Sequence, residues 1–88
     1  MKIKGLNFVR TCIACPEQYD VFDDNGVIVG YVRLRWGSLT CDYPDVYGEE
    51  VYCTSVGNDF TGCFENEEQR MVYLNDIADK ILEKINKV

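Results

Sequence analysis

Apolar residues over the last quarter of the chain recur at intervals of three and four. Met71, Leu74, Ile77, Ala78, Ile81, Leu82, Ile85 and Val88 fall within an arc of about 140° on a helical wheel, opposite Asn75, Asp76, Asp79, Lys80, Glu83, Lys84 and Lys87. Asn66-Glu67-Glu68-Gln69 supplies the start. The Asn side chain caps an orphaned backbone N–H, and Gln three residues on completes a variant capping box. Acids in the first turn and Lys in the last complement the helix dipole, and Asp76–Lys80 and Glu83–Lys87 have the spacing of i,i+4 ion pairs. The pattern predicts an amphipathic helix over about residues 67–87.

The preceding chain is extended. Gln18-Tyr19-Asp20-Val21-Phe22 and Val27 through Trp36 flank Asp23-Asp24-Asn25-Gly26. Asn-Gly between such runs marks a hairpin, because both central positions of a type I′ turn need φ > 0. With Asn25-Gly26 as a two-residue loop, Val21 lies opposite Gly30 and Tyr19 opposite Val32. Tyr19, Val21, Ile28, Val32, Leu34 and Trp36 then share the core face, and Asp20, Phe22, Val29, Tyr31, Arg33 and Arg35 share the other. A three-residue loop would invert one strand and break this agreement.

Gly37-Ser38 is a natural bend before Leu39-Thr40-Cys41, and further strands are expected over Glu50–Val56 and within Ile3–Cys12. The connections are rich in turn residues, notably the acidic loop from Asp42 to Gly48 and the segment from Gly57 to Gly62. The expected architecture is α+β: a single domain over residues 1–88, with strands within 3–56 forming an antiparallel three- to four-stranded meander and one C-terminal helix packed on one face.

Composition bounds the function. A chain of 88 residues has room for one core, and its 47% hydrophobic content suits a folded domain. Fifteen acids against nine bases give a net charge of −6. From Glu17 through Glu68 the only bases are Arg33 and Arg35, so bulk electrostatics oppose a phosphate backbone or an anionic membrane. Apolar residues at the N-terminus are broken by Gly5, Asn7 and Arg10, which leaves no signal-peptide core and no membrane span; a cytoplasmic location is expected.

Five cysteines without an export signal are expected to be thiols. Cys12-Ile13-Ala14-Cys15 has redox spacing, yet Pro16 leads into a strand rather than the helix that activates such a thiol. The same pair could form half of a zinc site completed by other cysteines; the candidate set is Cys12, Cys15, Cys41 and Cys53, with Cys63 as a substitute. The competing reading is that the cysteines are small apolar fillers. Asp42, Asp45, Glu49 and Glu50 lack the alternate-residue spacing of a calcium loop. With no His, the Ser-His-Asp and Cys-His arrangements are excluded, and no catalytic motif is recognisable.

Cys15 through Phe22, Gly30 through Gly37 and Asp42-Tyr43-Pro44-Asp45 together resemble small uncharacterised proteins of Firmicutes and their phages or integrated elements. The resemblance covers about the central third of the chain and implies a source rather than an activity. A single helix covers one face of a sheet, so the other must meet water or a partner. The leading expectation is therefore a non-enzymatic accessory module that binds a protein, or itself, through Phe22, Val29, Tyr31, Arg33 and Arg35. The alternatives are the zinc domain above and single-stranded nucleic-acid binding on Tyr31, Arg33 and Arg35.

Overall fold

The computed structural model describes residues 1–12, 16–56, 64 and 66–86. Among these, six strands form one sheet: β1 Lys2–Ile3, β2 Leu6–Arg10, β3 Gln18–Phe22, β4 Ile28–Arg35, β5 Ser38–Tyr43 and β6 Glu49–Ser55. Each is antiparallel to its neighbours, in the order β1-β2-β3-β4-β5-β6. One helix, α1 Glu67–Asn86, follows. The class is α+β as expected, with more strands than the three or four predicted.

Two tight turns account for the extra strands. Lys4-Gly5 joins the pair Ile3↔Leu6, with φ of 53° and 86°, and Trp36-Gly37 joins Arg35↔Ser38, with φ of 53° and 74°. Both are two-residue loops with two positive φ values, the backbone twist that suits a hairpin, and Gly fills the second position at no steric cost. What the periodicity presented as one long bent strand is two paired strands. Trp36 sits at the turn and is 68% exposed, which corrects its expected place in the core.

The β3–β4 hairpin closes through three residues, Asp24-Asn25-Gly26, rather than two. Asp23 N–H donates to Val27 O at 2.9 Å and Gly26 N–H to Asp23 O at 3.1 Å. The Asp23 carboxylate accepts from the N–H groups of Asn25 and Val27, both at 2.9 Å, and Gly26 adopts φ 79°. The extra loop residue shifts the pairing to Phe22↔Ile28, and a bulge restores Val21↔Gly30 and Tyr19↔Val32 farther on. The expected register is thus correct beyond the bulge and one residue off before it. Val29, the inserted residue, turns inward and is 6% exposed, whereas Ile28 pairs with Phe22 on the outer side.

The helix begins as its sequence predicts: Asn66 Oδ1 accepts the Gln69 N–H at 2.7 Å. Leu74, Ile77, Ala78 and Ile81 are fully buried with Phe8, Tyr19, Val21, Val32, Leu34, Leu39 and Cys41 in one core. Burying each large apolar side chain contributes roughly 1.5–3 kcal/mol. Ile81 packs tightly over Gly30, where a Cβ would stand 2.7 Å from Ile81 Cδ1. Two tertiary ion pairs, Lys4–Asp79 at 2.6 Å and Lys84 with Glu49, replace part of the expected helical ladder, and within α1 Lys80 pairs with Glu83 at 3.5 Å instead of with Asp76. Lys87 and Val88 lie outside the described residues. Among the described residues, no helix is long and apolar enough to cross a membrane.

Candidate functional site

The register defines the face that α1 leaves uncovered. Val9, Asp20, Tyr31 and Asp42 form one cross-strand row. Asn7, Phe22 and Ile28 form a second, and Gln18, Arg33, Thr40 and Cys53 a third. Beyond them, Arg35, Ser38 and Ser55 continue toward the Trp36 turn. Residues facing one another across an antiparallel ladder project to the same side, so these rows make a continuous surface.

Four of the five proposed surface residues belong to it. Phe22, Tyr31 and Arg33 are half-buried and Arg35 is exposed; Val29 is in the core because of the bulge. Val9 and Ile28 were missed because the position of β2 and the bulge are not visible in local periodicity. Tyr31 is bracketed by Asp20 and Asp42, and Arg33 by the uncharged Gln18 and Thr40. No ion pair joins Arg33 or Arg35 to an acid among the described residues. Asp20 and Arg33, diagonal neighbours on this face, make no ion pair.

Two members of the cysteine set, Cys41 and Cys53, are not brought together. Cys41 is paired with Tyr52 and buried on the inner face, whereas the adjacent ladder position pairs Thr40 with an exposed Cys53 on the outer face. Neighbouring positions along a strand point to opposite sides, so the sheet itself stands between these two sulfurs. Cys12 is half-buried, and Cys15 and Cys63 lie outside the described residues. Among the described residues, no three His, Cys, Asp or Glu side chains are grouped as metal ligands.

A second cluster sits where α1 begins, and it was not anticipated. Glu17 is 1% exposed, and Arg70 grips it at two points, Nε to Oε2 at 3.0 Å and Nη2 to Oε1 at 2.8 Å. Tyr19 OH donates to Oε2 at 2.8 Å and Phe64 N–H to Oε1 at 3.1 Å. Arg70 also pairs with Glu67 and lies over the Phe64 ring, which in turn stacks on Tyr73. Burial alone would raise the Glu17 pKa, but the hydrogen bonds from Arg70, Tyr19 and Phe64 and the Arg70 charge together hold it below the ordinary 4.5. Both carboxylate oxygens are occupied by donors, so the group is suited to tying helix to sheet rather than exchanging protons. An open groove of about 480 Å³ adjoins it, lined in part by Asn7, Val9, Arg10 and Glu67.

The sequence does carry a signal for this pair. Arg70 precedes Leu74, Ile77 and Ile81 on the apolar stripe, and Glu17 shares the two-residue phase of Tyr19 and Val21. Opposite charges, each in a core phase, imply one another, since neither is stably buried alone.

No family model matches the chain, and comparison with curated proteins and with solved structures likewise returns no match.

Proposed function

We propose that this chain is a non-enzymatic binding module that engages a protein partner through the uncovered face of its sheet, centred on Tyr31 with Phe22, Ile28, Arg33 and Arg35. The observation that carries the reading is the juxtaposition on one open face of half-buried aromatic and aliphatic side chains with two arginines that have no acidic partner among the described residues. Arg and aromatic residues are the side chains most enriched at the centre of protein interfaces. Asp20 and Asp42 on either side of Tyr31, together with the net charge of −6, favour a protein surface of mixed charge over a phosphate backbone.

A photo-crosslinking residue at position 33, used in cells and read by mass spectrometry, tests this. The expected result is one dominant protein adduct that Tyr31→Ala with Arg35→Ala removes and that Val72→Ala, on the exposed side of α1, leaves in place. Adducts indifferent to both sets of substitutions would sink the proposal. So would binding to single-stranded oligonucleotides that weakens steeply with salt and disappears in Arg33→Ala with Arg35→Ala.

A further inference from the structure

The two edges of the sheet are unequal. At one side lies β1, two residues long and carrying Lys2, a short charged edge of the kind that discourages pairing. At the other lies β6, seven residues with neither Pro nor Lys, and no described segment pairs with its outer side. Val56 N–H donates to Gly37 O of the β5 side at 2.9 Å. Ladder alternation then turns Thr54 and Tyr52 toward β5, opposite Leu39 and Cys41, and directs the N–H and C=O groups of Cys53 and Ser55 to the open edge.

We propose that two copies of this chain pair antiparallel through β6, about a two-fold axis at Cys53 or Thr54, and so join their sheets into one. Charge selects this arrangement. Glu49 and Glu50 occupy one end of β6, while Cys53-Thr54-Ser55 at the other end is uncharged. Antiparallel overlap of the uncharged halves leaves the acids of the two copies six to ten residues apart along the ladder. At about 3.4 Å per residue that is roughly 20–34 Å, well beyond a Debye length of about 8 Å. Parallel pairing would stack Glu50, which has no ion pair among the described residues, on its counterpart, and Glu49 with its Lys84 partner on the same pair, about 4.8 Å apart. Symmetry selects it too, because β6 against β6 closes as a dimer, whereas β6 against the β1 edge would propagate without end. The second copy would also cover the exposed flanks of Val51 and Tyr52, which are only partly buried against the core.

Sedimentation equilibrium from micromolar to millimolar protein, combined with amide hydrogen exchange, tests the pairing independently of the outer-face reading. The expected result is a monomer–dimer equilibrium in which the Cys53 and Ser55 amides gain protection of at least tenfold as dimer forms. Tyr52 and Thr54, held in the β5 ladder, serve as controls protected throughout. Ser55→Pro removes an edge donor and leaves the β5 ladder intact, and is expected to give a folded monomer. If that variant does not fold, Cys53→Lys with Ser55→Lys places like charges at the axis and is expected to do the same. Tyr31→Ala with Arg33→Ala is expected to leave the dimer unchanged. A monomer at every concentration, a dimer whose Cys53 and Ser55 amides exchange freely, or a dimer that persists in the folded edge variants would overturn the proposal.

Discussion

Arg70, in the first turn of α1, holds both carboxylate oxygens of Glu17, a residue 53 positions earlier in the chain, at 3.0 and 2.8 Å. This pair pins the start of the helix to the strand side of the core. Removing one partner leaves a buried charge uncompensated, which costs about 3–5 kcal/mol. Arg70→Ala and Glu17→Gln are each expected to lower the urea unfolding free energy by about 3 kcal/mol. Arg70→Lys is expected to recover less than half, because a point charge cannot reproduce the two-point grip. Glu17→Leu with Arg70→Leu is expected to cost less than either single charge removal, and a double-mutant cycle measures that coupling.

The same cluster contributes to the dependence of stability on pH. The Glu17 pKa lies below its ordinary 4.5 in the folded chain. Its contribution is therefore complete above the unfolded value and is lost as pH falls through the folded one. Acid titration of wild type is expected to show a steeper loss below about pH 4.5 than Glu17→Gln does.

On the alkaline side, burial and the charge of Asp42 push the Cys41 thiol from 9.0 up to about 12. Burial, with the hydrogen bond to Glu17 and its charge, pushes the Tyr19 phenol from 10.0 up to about 12. Both groups stay neutral in the folded chain where the unfolded chain ionises, so their contribution to stability is complete below pH 9.0 and is lost toward 12. Cys41→Val is expected to flatten the first part of that decline in pH-dependent thermal melts.

Gly30 leaves room for the Ile81 side chain. A Cβ there would lie 2.7 Å from Ile81 Cδ1, the end of a flexible side chain, so Gly30→Ala is expected to cost about 1–3 kcal/mol as that chain is displaced. Ile81→Val removes the clashing methyl. The double variant is expected to be more stable than the sum of the two single losses implies, as denaturant midpoints would show.

Trp36 occupies a left-handed turn position at φ 53° with little packing to lose. Trp36→Asn supplies the residue best suited to precede Gly37 in a type I′ turn and is expected to raise stability by about 0.5–1 kcal/mol. Were the indole in the core, the same substitution would cost about 3–5 kcal/mol. A thermal melt separates the two.

What the sequence determined by itself is what acts over a few residues. The helix, its Asn66 cap, its buried stripe and the hairpin at Asn25-Gly26 all rest on local periodicity and turn chemistry, and each is present in the fold. Tertiary structure decided whatever depends on how separate strands pair. The β3–β4 loop took a third residue and the bulge at Val29 compensated for it, because the core needed Tyr19, Val21, Val32 and Leu34 on one side. Trp36 left the core because the chain reverses at Gly37, although its two-residue phase with Val32 and Leu34 placed it inside. Cys41 and Cys53 were parted by the ladder between β5 and β6, a separation invisible in their spacing. The meeting of Glu17 with Arg70 required both the sheet and the helix to exist first, since each charge had only its phase to announce it.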